Sequence, residues 1–309
     1  MDTGAQDPVV TALSRLVPDG VVRHQLTRES GRRLRWVEAG GAEPAVVLIS
    51  GAGEVALDWA VVLPTLAETS RVIAYDRAGL GASDPVSRLT LDSQVRDLVA
   101  LLDHVGPAVL VGHSWGGLLA ELTALARPDR TRGVVLVDPF HEDTTAQVPL
   151  ALRVSSSLVL GALPVLKAIG LFNRIAANVG RELARRCTDD PTTQAVVTAA
   201  YVASYGTYAQ VATIRAENRL ANACTGEVRA ARAVSAVPDV PMRVLTATRG
   251  KPAALQQRSR DLAERTAALF ARGVHREVPD SGHYIHKEQP AAVVDAVRAV
   301  RAEADRDTP

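Results

Sequence analysis

Short, β-branched apolar runs alternate in this chain with longer stretches whose apolar residues recur at helical spacing, and few folds accommodate that alternation. Residues 45–50, 71–75, 108–112, 133–138, 242–248 and 274–278 read as strands. The central ones are short, β-branched and apolar along nearly their whole length, as strands covered by helices on both faces are. Helical periodicity fills 59–69, 90–105, 115–126, 254–271 and 291–303. The alternation predicts an α/β fold with a mostly parallel, doubly wound sheet and right-handed crossovers. Two earlier runs, near 21–26 and 34–38, predict an antiparallel hairpin at one edge.

The alternation stops at Pro139 and resumes near Val240, past Pro238. The residues between are helical in pattern and hold no convincing strand. They predict a helical cap at 139–239 inserted into a core formed by 1–138 and 240–309, with a polar tail fraying from about Ala304. At 47% hydrophobic residues a large core is available, while no uninterrupted apolar run is long enough for a membrane span. Lys and Arg total 35 against 34 acidic residues, a net charge of +1 without a basic block, which argues against a nucleic-acid partner. Cys187 and Cys224 lack the spacing of a metal or redox site. The first thirty residues carry no basic-then-apolar leader pattern, so a soluble, cytoplasmic protein is expected. Its oligomeric state is left open.

The strongest chemical signal is Gly112-His113-Ser114-Trp115-Gly116, directly after a strand and directly before an apolar-periodic helix. A serine on so tight a turn projects its Oγ above the sheet, and flanking glycines permit the close backbone packing. The helix that follows points free N–H groups and its positive dipole end at the site, which suits a developing oxyanion. The bare pattern occurs by chance in roughly one chain in ten at ~7% glycine; its placement between strand and helix is what gives it weight. A histidine partner must sit on a loop at the carboxyl end of the sheet. His283, just past the last strand, satisfies this; His286 is its rival, read as structural. His113 should point away from Ser114 and serve packing.

These residues resemble the α/β-hydrolases over nearly the whole chain. Ser50-Gly51-Ala52-Gly53 stands in the place of the family's oxyanion loop, with Ser50 where a histidine is usual. Asp76-Arg77-Ala78-Gly79-Leu80-Gly81-Ala82-Ser83 looks like the turn after the next strand and is read as structural rather than phosphate-binding, since it lacks P-loop and dinucleotide spacings. Gly112–Gly116 looks like the nucleophile elbow and Ser281-Gly282-His283 like the histidine loop. Many family members carry the catalytic acid after the strand corresponding to 242–248. Here that loop reads Arg249-Gly250-Lys251-Pro252, with no carboxylate before Asp261. Some members instead place it where Asp138 stands, and the order Ser114, Asp138, His283 is kept. Glu142 and Asp143 are nearby rivals, and Asp280 is too close in sequence to His283.

The resemblance implies a Ser114–Asp138–His283 triad with an oxyanion hole from the N–H groups of Ala52 and Trp115, and no metal or organic cofactor. It implies hydrolysis of an ester-like bond in a small, largely apolar molecule. Serine at 114 argues against epoxide-hydrolase-like and haloalkane-dehalogenase-like chemistry, which uses an aspartate there. Pocket candidates are Glu54, Phe140, Tyr284 and a stripe of Tyr201, Tyr205 and Tyr208 at i, i+4 and i+7 of one helix; a solvated loop carboxylate and plain packing are the alternatives for Glu54 and for the stripe. The apolar stretch 158–172 reads as buried against the core in preference to docking on a membrane. Three other functions stay open: an iminopeptidase or amidase anchoring an amine with Glu182, Asp189, Asp190 or Glu217; a non-hydrolytic cyclase, lyase or C–C bond enzyme; and a binding protein that keeps the triad without turnover.

Overall fold

A computed structural model describes residues 7–145 and 150–306. The chain opens with helix α1 (Pro8–Ser14), which periodicity had not revealed, and the hairpin β1 (Val22–Thr27) and β2 (Arg33–Ala39). There follow β3 (Ala45–Ile49), α2 (Leu63–Ala67), β4 (Val72–Asp76), α3 (Leu91–Val105), β5 (Ala108–His113), α4 (Trp115–Ala126) and β6 (Thr131–Val137). After a run of helices come β7 (Pro241–Ala247), α11 (Ala253–Ala268), β8 (Arg272–Val278), α12 (Ile285–Glu288) and α13 (Pro290–Asp305).

The eight strands form one sheet in the order β1-β2-β4-β3-β5-β6-β7-β8, antiparallel at β1/β2 and β2/β4 and parallel elsewhere. Every residue of β3, β4 and β5 is buried, because alternate residues feed two apolar layers. Val46, Leu48, Val109 and Val111 meet Val293, Val297 and Val300 of α13 on one face. Val47, Ile49 and Leu110 meet leucines of α3 and α4 on the other. The edge strands β1 and β8 are largely solvated.

Two local expectations need correcting. The helix expected over 59–69 is a 3₁₀ turn at Ala56–Trp59 followed by the short α2, which begins beside Pro64; proline fixes a helix start because it has no N–H to donate into a preceding turn. The tail expected to fray from Ala304 stays helical to Asp305 with Ala304 buried, while 307–309 lie outside the described residues.

Between β6 and β7 the chain forms α5 (Glu142–Thr145), α6 (Leu150–Ala168), α7 (Leu171–Cys187), α8 (Pro191–Tyr205), α9 (Tyr208–Ala223) and α10 (Thr225–Val234). No strand occurs there among the described residues. Helix α8 packs on α7 and α1, and α9 on α6 and α5. The apolar stretch from Leu158 is not buried throughout. Leu158, Val165, Ile169 and Leu171 are exposed, and among the described side chains of 158–172 Phe172 alone is buried. Among the described residues no single helix is long and apolar enough to cross a membrane.

Candidate active site

The carboxyl ends of β5, β6 and β8 deliver three of the sequence-selected side chains to one place. Ser114 joins β5 to α4 with φ +50° and ψ −117°, a conformation costly for any residue with a Cβ. Its N–H donates to Val137 C=O (3.0 Å), and its C=O accepts from Gly117 and Phe140 N–H (2.9 Å each). The flanking glycines are needed for space: a Cβ on Gly112 would lie 2.2 Å from Gly116 O, and one on Gly116 2.2 Å from Ile49 O. Asp138, ending β6, also has positive φ (+41°), as does Asp280 (+59°) in the loop ahead of His283. These are the only non-glycine residues with positive φ among the described residues, so backbone strain gathers in the three loops that surround the site.

His283 Nδ1 lies 2.7 Å from Asp138 Oδ2. Asp138 is buried, and its Oδ1 accepts from Ala247 N–H at 2.9 Å. Lys251 adds its ammonium at 3.0 and 3.2 Å from the two oxygens. Burial alone would raise the Asp138 carboxyl. The His283 hydrogen bond, the Lys251 charge and the Ala247 N–H outweigh it and hold the carboxyl below its ordinary value. The rivals are engaged elsewhere: Glu142 by Arg232, Asp143 by Arg229, and Asp261 by Gln257. Ser114, Asp138 and His283 line one cavity of about 350 Å³ with Phe140, Lys251 and Leu262. No hydrogen bond joins Ser114 to His283 among the described residues, and the His283 side chain is 45% exposed.

A second cavity, of about 410 Å³, lies against Ala52 and Gly53 and is walled by Tyr201, Tyr205, Tyr284 and Ile214, with Glu54 and Lys287. Among the described residues no protein acceptor takes the N–H of Ala52 or of Trp115. Glu54 is not a solvated loop carboxylate. It is buried and accepts from Gly51 N–H (2.8 Å), His113 Nδ1 (2.7 Å) and Lys287 Nζ (2.7 Å). Burial would raise it, but Lys287 and His113 take it well below the ordinary range. Lys287 also donates to Asp58 (2.7 Å), which accepts from the Tyr205 hydroxyl at 2.6 Å. Tyr201 stacks on Tyr205 at 4.4 Å. Tyr208 lies outside both cavities, 62% exposed. The stripe breaks because Gly206 ends α8 and Thr207 caps the next helix.

His113 does more than pack: its Nε2 lies 3.0 Å from His283 C=O, so the Glu54 network ends on the backbone of the histidine loop. His286 is buried against Trp59 and His113; neither ring nitrogen forms a hydrogen bond, and Nε2 stands 3.6 Å from Glu54 Oε1. Burial and the neighbouring His113 push it down to about 3, which leaves it neutral. Glu54, His113 and His286 are close enough together to hold a metal ion, but the Lys287 ammonium already sits on the Glu54 carboxylate that such an ion would need. Asp76 accepts from the N–H groups of Ala56 and Ala82 and Arg77 bonds Gly51 C=O, so the 76–83 turn is structural as expected.

Sequence reasoning missed Lys251, Lys287 and Asp58. One signal was available: the chain has only three lysines, at 167, 251 and 287, and two of them stand here. Lysine ends in a compact point charge, whereas arginine needs room for a planar fork.

Residues 46–296 match the alpha/beta hydrolase family. The chain is similar to a cis-3-alkyl-4-alkyloxetan-2-one decarboxylase of Shewanella oneidensis, 32% identical over 167 residues, covering 51% of this chain and 52% of that protein. It is similar to bifunctional epoxide hydrolase 2 of Rattus norvegicus, 31% identical over 169 residues, covering 53% and 29%. It therefore spans about half or less of the length of these curated relatives. The solved structure of the epoxide hydrolase CorEH covers 91% of this chain and 99% of its own at a TM-score of 0.68 and 20% identity, a likeness of fold.

Proposed function

The chain belongs to the alpha/beta hydrolase family, and within it we propose that this protein is a serine hydrolase cleaving an ester-like bond of a small, largely apolar substrate. The observation that carries this is the convergence of a strained elbow serine, a histidine and that histidine's buried carboxylate partner on one cavity. His283 takes the proton from Ser114 Oγ as the oxygen attacks the carbonyl carbon, and Asp138 holds the imidazole and supports its charge. The N–H groups of Ala52 and Trp115 take the oxyanion. His283 then gives its proton to the leaving oxygen, and water cleaves the acyl-enzyme with the same histidine as base. The open Ser114–His283 geometry fits a site that tightens when substrate binds. Residues 139–239 act as a cap, and Phe140 and Leu262 supply apolar wall. No cofactor takes part in this scheme.

The relatives' names, a lactone decarboxylase and an epoxide hydrolase, support attack on strained oxygen rings as a second reading. Serine at 114 weakens the epoxide version, because epoxide hydrolases use an aspartate nucleophile. An amine-anchoring peptidase is disfavoured: Glu217 is spent on Arg77, Glu182 on Arg185 and Arg186, and Asp190 caps α8. A fluorophosphonate should label Ser114, and Ser114→Ala should abolish labelling and turnover of p-nitrophenyl esters. Labelling without turnover of esters, lactones or aminoacyl anilides would favour the non-hydrolytic reading. Absence of labelling would sink the serine mechanism.

A further inference from the structure

Helix α9 lies across the loops that follow β3 and β4, and it grips the backbone beside one candidate oxyanion donor. Gln210 Nε2 donates to Gly53 C=O at 2.8 Å, and Gly53 N–H donates to Glu217 Oε2 at 2.7 Å. Both polar groups of Gly53, the neighbour of Ala52, are thus held by one inserted helix. Ile214, on the same helical face, closes the contact: a Cβ on Gly53 (φ +74°) would lie 2.7 Å from Ile214 Cγ1. Only glycine lets the helix come this near.

The other oxygen of Glu217 accepts from Gln94 Nε2 at 2.7 Å, and Gln94 Oε1 accepts from the Trp115 indole N–H at 2.8 Å. Arg77 donates to both carboxylate oxygens (2.7 and 2.9 Å) and to Gly51 C=O at 2.6 Å. Glu217 is fully buried, and so are Arg77 and Gln94. One carboxylate therefore links the two residues whose N–H groups would form the oxyanion hole, Ala52 through Gly53 and Trp115 through Gln94. The resemblance to the hydrolases left this loop without its usual histidine, Ser50 standing there instead. The brace comes from the insertion.

We propose that Glu217 and Gln210 are positioning residues that set the spacing of the oxyanion hole, so that the inserted segment is part of the catalytic apparatus as well as its cover. This rests on the serine-hydrolase reading. Charge-assisted hydrogen bonds to a buried carboxylate are short and directional, and displacing a reacting group by about 1 Å costs on the order of 100-fold in rate.

The test uses the full chain with Gln210→Met, which leaves the Arg77–Glu217 pair intact, and with Glu217→Gln, which keeps the side-chain shape but removes the charge that Arg77 faces. Three quantities are measured: the rate of fluorophosphonate labelling of Ser114, kcat and KM on a p-nitrophenyl ester, and affinity for a boronic acid that mimics the tetrahedral species. Labelling, kcat and boronate affinity should all fall by about 10- to 100-fold, with KM changed less than about twofold. Wild-type labelling and boronate affinity in folded variants, with only the thermal midpoint lowered, would overturn the brace and leave the serine reading intact. Failure of the wild-type protein itself to label would overturn the serine reading, and the brace with it.

Discussion

The β5–α4 elbow and the charges buried beneath α8 and α9 hold functional groups by opposite means. At the elbow a few consecutive residues do the work: Gly112, Ser114, Gly116 and Gly117 shape the turn among themselves, helped by one bond each to Val137 and Phe140. In the charge network the partners are far apart in the chain, with Lys287 bonded to Glu54 and Asp58 across 233 and 229 residues and Arg77 to Glu217 across 140. Local steric necessity leaves a mark in a sequence window. A long-range ion pair leaves none, because each half looks like an ordinary surface charge until the fold joins them.

If the two regions divide labour in this way, variants at the elbow side should destroy chemistry and variants at Lys287 should destroy stability first. Asp138→Asn should lower kcat by about 10⁴-fold in a protein that still folds, whereas Asp143→Asn and Asp261→Asn should stay near wild type. Collapse of either of the latter with Asp138→Asn active would move the acid. In the network, Lys287→Met leaves the Glu54 and Asp58 carboxylates buried without their cation and should cost about 3–5 kcal/mol in a urea titration. A loss below about 1 kcal/mol would mean that water, rather than the lysine, satisfies those carboxylates.

The smallest effect is one of pH. His286 stays neutral in the fold until about pH 3, while in the unfolded chain it takes up a proton near its ordinary value of about 6.5. The unfolded state therefore binds more protons between those values, and stability should fall as pH drops through that window. Glu54, held low, contributes stability above about 4.5 that is lost only at more acidic pH. Between about 6.5 and 5.5 His286 contributes roughly 1 kcal/mol of this decline, and His141 and His275, which burial also lowers, add to it. His286→Phe, which keeps a ring against Trp59, should remove that share of the slope in urea midpoints measured at those two values. An unchanged slope would show that other groups carry all of it.

The sheet was legible in the sequence because apolar runs such as Val46–Ile49 and Val109–Val111 must be buried on both faces whatever surrounds them. Ser114, Asp138 and His283, which line one cavity, could be singled out as candidates because each stands at or just past a strand end. The pocket was harder. Tyr201, Tyr205 and Tyr208 fit one helical face until Gly206 and Thr207 divide the helix, and a periodicity count cannot see a break that polar capping creates. Glu54 was a pocket candidate with a solvated loop carboxylate as its alternative, because nothing near it in the chain forecasts Lys287. His113 was assigned to packing by the direction of its side chain, which was the right consideration, but the acceptors on that side came from elements unrelated in sequence.

The Arg77–Glu217 pair also bears on how such proteins can diversify. Inserted segments are convenient places for new specificity, since they can vary without disturbing a sheet. Here a segment exchanged for a foreign one would have to bring an acid and an amide at the positions of Glu217 and Gln210, or the core would inherit an unpaired guanidinium and an unmoored Gly53. Modular exchange is thus restricted to donors that share this handshake, and gradual change within α6 and α7, whose exposed apolar residues make no such bond, is the less constrained route to a new substrate.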